Sequence, residues 1–255
     1  MSWLTPTLLG VLTVAAARGT WSPCGLSMIS AINPMSERSR GNRYWLTTLW
    51  FVAGAVLGGA GLGLAGAVLA LVLRPLAGTP ALLLGAACCL LALAADLRIG
   101  GLHLPLHPRQ VNELWLMRYR RWLYAAGFGA QIGVGFATYI MTAATYLVVA
   151  LAGLTGSPGQ ALGAGLLFGL VRGLAVLLSA RCRTGDALRR LHARLHAADR
   201  LSLRVVMVVE LLAGIGLAGA MAPLAGALAA VAGCVILLIA VRPAPDRARM
   251  AEPVT

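Results

Sequence analysis

Five cysteines, at positions 24, 88, 89, 182 and 234, are the side chains best suited to chemistry, because a thiolate is both a nucleophile and a redox group. Cys24 has the most informative neighbours. It lies in Gly19-Thr20-Trp21-Ser22-Pro23-Cys24-Gly25, between apolar runs from Leu8 to Ala17 and from Leu26 to Ile32. Pro23 has no amide hydrogen and clashes with the preceding turn, so a helix through this segment breaks here. Ser22 suits the N-cap of the restarted helix and Pro23 its first position. Cys24 then stands in the first turn, where the helix dipole favours a thiolate. The plain alternative is a small thiol packed among apolar residues. Cys88 and Cys89 are adjacent within an apolar run, and neighbouring cysteines rarely bridge each other, so one of them could instead meet Cys24 across a bundle. Cys182 lies between Arg181 and Arg183, whose charges would lower its pKa. Cys234 reads as packing, and no Cys-x-x-Cys pair occurs.

Three ionisable residues fall inside apolar segments: Arg18, Arg172 and Glu210. Such residues face a bundle interior and mark substrate paths or ion pairs. Arg172 and Glu210 are expected to pair with each other. Arg18, four residues before Ser22, is placed to hold the Cys24 thiolate or to snorkel to the interface. His192 and His196 have the four-residue spacing that can bind a metal on a helix, with Asp199 three further on. They are read as amphipathic surface histidines, and no metal site or cofactor is assigned. No phosphate loop, nucleophile elbow or zinc-protease signature is present.

The elements that must position these groups are membrane helices. The chain has 255 residues, 59% hydrophobic, with a mean hydropathy of +0.83 and only 11% charged residues. A spanning helix needs about 20 apolar residues. Seven segments qualify, at 4–33, 45–73, 79–97, 123–152, 160–180, 203–221 and 224–241. The first is broken at Ser22-Pro23-Cys24, and the fourth is broken or softened at Gly127-Phe128-Gly129 and Gly133-Val134-Gly135. The fold class is therefore all-α and polytopic. A single transmembrane domain is expected over 1–242, with a disordered cytoplasmic tail over 243–255. Met1 to Ala17 lacks the basic start of a signal peptide and reads as the first half of helix 1.

All 21 basic residues are arginine, and the net charge is +13. A soluble chain this basic would suggest nucleic acid. Here the arginines lie between apolar segments, so anionic lipid headgroups are the expected partner and nucleic acid is not. Eighteen arginines fall in the loops after segments 1, 3 and 5 or in the tail, and the opposite side carries Arg74. By the positive-inside rule this predicts a multi-pass plasma-membrane protein with its N-terminus outside and its C-terminus in the cytoplasm. Residues 109–122 and 185–201 are predicted to be amphipathic interfacial helices. The Gly-x-x-x-Gly spacings 54–58 and 59–63 predict close helix packing in segment 2.

Gly19 to Leu26 can be set against Gly127 to Val134, each preceding a stretch rich in small and hydroxyl residues. The two segments would run in opposite directions. Half-repeats over about 4–97 and 123–221, with segment 7 added, follow from this, and interrupted helices at matching positions point to a central site.

Ser22-Pro23-Cys24 in a broken first helix, with Pro34 where that helix ends, resembles the cytochrome c biogenesis and thiol–disulfide transporter family, CcdA and the DsbD membrane domain among them. The resemblance covers about residues 20–220. It implies passage of reducing equivalents across the membrane to thioredoxin-like proteins, by a cysteine pair with one member in each half. Cys24 matches the first cysteine. The second does not match: Gln131-Ile132-Gly133 stands there. Cys88, Cys89 or Cys182 would have to resolve the exchange, or the chain no longer carries electrons.

The leading expectation is a membrane thiol–disulfide electron-transfer protein, possible oxidoreductase chemistry resting on Cys24 beside Pro23, with Cys88 and Cys89 as candidate partners. Gln131, Thr138 and Tyr139 would line the opposite half of the cavity. The alternative is a small-solute or ion transporter on the same scaffold, using the two broken helices, Arg172 and Glu210. A non-catalytic assembly subunit is the third reading.

Overall fold

The computed structural model describes residues 3–99, 118–222, 226–233 and 235, and every regular element among them is helical. Segment 1 is two helices, α1 (Leu4–Arg18) and α2 (Pro23–Ala31), joined by a 3-10 turn over Gly19–Trp21 and an extended Ser22. A short helix α3 (Pro34–Ser39) follows, with Asn33 as N-cap accepting from the Ser36 amide at 2.9 Å. The long apolar helices α4 (Tyr44–Leu73) and α5 (Thr79–Asp96) come next. Segment 4 is again two helices, α6 (Arg121–Val134) and α7 (Ala144–Leu154), with an irregular stretch over 135–143. Then come α8 (Pro158–Leu174), prolonged by a 3-10 stretch over Ala175–Arg181, and α9 (Gly185–Gly219). Residues 226–233 are also helical.

Among the described residues, four helices are long and apolar enough to cross a membrane: Tyr44–Leu76, Thr79–Asp96, Pro158–Arg181 and Gly185–Gly219. Their outward faces carry large apolar side chains, such as Leu57, Leu64 and Val72 on α4 and Val205, Val208 and Leu212 on α9. Water would penalise such a surface, whereas lipid tails accept it.

Helix α4 is the centre of the packing and lies against α6, α7 and α8. The closeness has a sequence cause. A Cβ placed on Gly165 of α8 would collide with the backbone of Gly63, and one on Gly129 of α6 would collide with the Phe51 carbonyl. Small residues let these backbones meet, which is how helices associate where no hydrophobic force separates lipid from protein. Two apolar clusters result. One gathers Leu8, Leu12, Cys89, Leu147, Leu151 and Leu217, and the other Cys24, Met28, Ile29, Phe51, Phe128 and Val176.

Two expectations are corrected here. Residues 185–201 and 203–221 are not an interfacial helix followed by a separate span; they form the single 35-residue α9. No Pro or Gly falls between Ala187 and Ala213 to stop it. In segment 4 the helix runs through Gly127, Gly129 and Gly133, and the break lies at 135–143. Gly129 and Gly133 serve close packing on α4, while Gly135, at φ +78°, takes the left-handed conformation that ends α6. Most of the interfacial helix expected over 109–122, half of segment 224–241 and the tail over 243–255 lie outside the described residues.

The packing makes a comparative prediction. Gly165→Ala should lower stability by about 1–3 kcal/mol, as overpacking does. Gly163→Ala, where nothing lies within 4 Å of an added Cβ, should not lower it. Thermal unfolding of the detergent-solubilised variants checks both.

Candidate functional site

The site is built on the break in segment 1. Ser22 is the N-cap of α2: its Oγ accepts from the Gly25 amide at 3.0 Å and donates to the Gly19 carbonyl at 2.7 Å. One side chain thus serves polar backbone groups on both sides of the gap, which a break at membrane depth requires. Pro23 occupies the first helical position and Cys24 follows it, fully buried.

The cation beside Cys24 is Arg172, not Arg18. Arg172 reaches in from α8 within electrostatic range of the Cys24 sulfur. Its guanidinium lies over the Phe168 ring, 5.6 Å from the centroid, and only 4% of the residue is exposed. A Cβ on Gly19 would stand 2.6 Å from the Arg172 Cζ, so position 19 must be glycine for the cation to rest on the break. Nε and Nη2 of Arg172 have no hydrogen-bond partner. Arg18 is engaged elsewhere. It forms an ion pair with Asp199 at 2.5 Å, donates to Ser202 Oγ at 2.6 Å and lies over Trp21. The continuous α9 brings Asp199 and Ser202 there, and that is why Arg18 does not turn towards the thiol.

Arg172 and Glu210 do not pair either. Both Glu210 oxygens lack a hydrogen-bond partner, and Glu210 is fully buried on α9. Cys88 and Cys89 are not brought to Cys24. Helix α5 packs on α9 and α7, so Cys89 joins the other apolar cluster and Cys88 lines a groove with Leu91, Ala95 and Tyr146. Cys182 is buried at the end of the 3-10 stretch, and burial pushes its thiol up rather than down. The arginines on either side, Arg181 and Arg183, are exposed and solvated. Cys234 lies outside the described residues.

Beside the break a cavity of about 650 Å³ opens, lined by Trp21, Pro23, Leu26, Tyr139, Met141, His192, His196 and Asp199. Pro23, Tyr139, His192 and His196 are thus brought together from three elements. Trp21 Nε1 donates to the Leu195 carbonyl at 2.7 Å, and Ser30 Oγ lies 3.3 Å from His192 Nε2. Among the described residues no group of three His, Cys, Asp or Glu could hold a metal ion. Thr138 is fully buried in the second break with its Oγ1 unpartnered, and Gln131 is half-buried on α6, away from this cavity.

Two acids escaped the sequence reading. Glu37 of α3 is fully buried and accepts from Arg40 at 2.6 Å, Thr47 Oγ1 at 2.6 Å and the Tyr124 hydroxyl at 2.9 Å. It ties the end of segment 1 to α4 and α6. Asp96, at the end of α5, accepts from Thr142 Oγ1 and, at 2.6 Å, from the Ala143 amide at the start of α7. The available signal was scarcity. Only eight acids accompany 21 arginines, so each acid near an apolar segment needs a reason.

The chain is similar to the methylamine utilization protein MauF of several bacteria. It is 32% identical to that of Paracoccus versutus over 178 residues, 66% of this chain and 64% of the relative. It is 31% identical to that of Paracoccus denitrificans over 189 residues, 68% and 65% respectively. For Methylorubrum extorquens the figures are 30% over 166 residues, 61% and 55%. The chain therefore spans just under two thirds of the length of the first two relatives. No family model and no solved structure matches it.

Two outcomes follow from this geometry. Glu37→Ala leaves Arg40 and Tyr124 without their shared acceptor and should cost about 3 kcal/mol in thermal unfolding, with Glu37→Gln costing less. Cys182 should react with a maleimide more slowly than a free thiol at neutral pH. Its rate should climb at pH values above those where a free thiol already ionises, because its pKa is raised.

Proposed function

We propose that this chain is a membrane-embedded accessory protein of amine utilization that carries out thiol–disulfide exchange at Cys24 with thioredoxin-like proteins. The observation that carries the reading is the placement of Cys24 in the first turn of α2 with the Arg172 guanidinium in electrostatic range. The thiolate is the attacking form of a cysteine in thiol–disulfide exchange. The relatives' name supplies the process, and the resemblance of Ser22-Pro23-Cys24 to the thiol–disulfide transporters supplies the chemistry.

No second cysteine of this chain is required. The Cys24 thiolate attacks the disulfide of an oxidised partner, one sulfur–sulfur bond forms as another breaks, and the released thiolate takes a proton. A reduced partner then attacks the Cys24 sulfur of this mixed disulfide, which frees the first partner as a dithiol. The second thiol of the reduced partner closes its own disulfide and returns Cys24. The two electrons pass from one partner to the other, and the protein is unchanged.

The membrane plan in this proposal has seven spans, an outside N-terminus and inverted half-repeats in the plasma membrane. In it, segment 1 packs on α9 through α1, and segment 4 packs on α5 through α7. Both broken helices, α1–α2 and α6–α7, would then face the centre, and rocking of the halves would expose Cys24 to each side in turn. A second reading, transport of a small anionic solute, draws on the unpartnered Nε and Nη2 of Arg172 and Oγ1 of Thr138.

Cys24→Ser separates the two. In the thiol reading it abolishes mixed disulfides trapped by acid quenching and seen on non-reducing gels, whereas transport would persist. Arg172→Gln should slow alkylation of Cys24 by a membrane-permeant maleimide by about tenfold, and Arg172→Lys should restore most of the rate. Equal rates in all three proteins would sink the role given to Arg172.

A further inference from the structure

The five acids among the described residues divide unevenly. Glu37 is satisfied by Arg40, Thr47 and Tyr124, Asp96 by Thr142 and the Ala143 amide, Asp186 by Arg189 and Asp199 by Arg18. Glu210 is the exception: fully buried in an apolar helix, with neither oxygen hydrogen-bonded. An ionised carboxylate left so is costly in hydrocarbon, while a neutral acid is tolerated.

Among the described residues the titratable groups around it can be named. Helix α5 presents Cys89 and Asp96, both in electrostatic range through the chain Cys89–Glu210–Asp96. Helix α1 presents Arg18, which lies in range of Asp96. The 3-10 turn Gly19–Trp21 carries no titratable group, and the stretch Ala175–Arg181 carries only Arg181, which is exposed. The same turns of α9 otherwise bury Val206, Ala213 and Gly214, so a metal ion would find too few oxygen ligands. A proton needs only one.

A line of charged groups also runs between the cavity and the carboxyl. Asp199 lines the 650 Å³ cavity and pairs with Arg18. Arg18 lies in electrostatic range of Asp96, and Asp96 of Glu210. Asp96 in addition holds the first turn of α7, immediately after the second break. A change in that break would therefore move the acid that faces Glu210.

We infer that Glu210 is a proton-carrying carboxylic acid in the interior of the bundle, exchanging its proton with the neighbouring Asp96. The proton binds at a carboxyl oxygen of Glu210 and leaves toward Asp96 when that carboxylate is presented to it. The site stands apart from Cys24, so either reading can fail without the other.

The test is covalent. N,N′-dicyclohexylcarbodiimide reacts with protonated carboxyls in apolar surroundings. The full chain in proteoliposomes is treated across a pH series, and the adduct is located by tandem mass spectrometry. The expected result is an adduct at Glu210 that declines as pH rises, is absent in Glu210→Gln and is retained in Cys24→Ser. In Asp96→Asn the decline should begin at lower pH, because a neighbouring negative charge no longer favours the bound proton. Glu210→Gln, a neutral isostere, should keep the wild-type unfolding temperature. Absence of an adduct at Glu210 at every pH would overturn the proposal. A loss of stability in Glu210→Gln would mark a structural carboxylate and overturn it as well. A pH profile that ignores Asp96 would overturn the exchange with Asp96.

Discussion

Backbone contact along α4 is the constraint on which the rest depends. Gly63 meets Gly165 of α8 and Phe51 meets Gly129 of α6, so helices from both ends of the chain are drawn onto one axis. In a bilayer there is little hydrophobic gain in burying a leucine against another helix, and close van der Waals contact must do the holding. The glycine row sets how near the helices come. It also brings Arg172, one turn past Gly169, over the break that α1 and α2 leave open.

That break is tolerable because its polar groups are served locally. Ser22 caps α2 and also bonds Gly19, and the missing side chain at Gly19 leaves room for a guanidinium. The result is a charged group in contact with bare backbone at the point where helix hydrogen bonding is interrupted. A cation there faces the N-terminal end of α2, which is itself electropositive, so an anion between them would be favoured twice over.

Charge elsewhere follows a different logic. Arginine is abundant and acid is scarce, so the acids act as anchors. Glu37 fastens α3 to α4 and α6, Asp199 fastens α9 to the end of α1, and Asp96 fastens α5 to the start of α7. Glu37 and Asp96 sit near helix ends beside a turn or break, where unserved backbone most needs a partner, and Asp199, midway along α9, holds the end of α1. Glu210 lies mid-helix and anchors nothing.

Local chemistry alone determined much of this. The Ser22-Pro23 break, the cap, the position of Cys24 and the bounds of α4 and α5 follow from amide hydrogens, fixed proline geometry and runs of apolar residues, all of which act within a few positions. The glycines of segment 4 were legible as special but not in their role, since packing and chain-breaking use the same missing side chain and only a neighbour decides between them. The partners of the charged groups were not legible at all. The sequence left Arg18 to hold the Cys24 thiolate or to snorkel, and Arg172 free to pair with Glu210, yet Arg18 went to Asp199 and Arg172 came within electrostatic range of Cys24. Those pairings span more than 140 positions in the chain. They depend on α9 running unbroken through residue 202 and on α8 lying against α4, and such long-range placement exists only once the helices have packed.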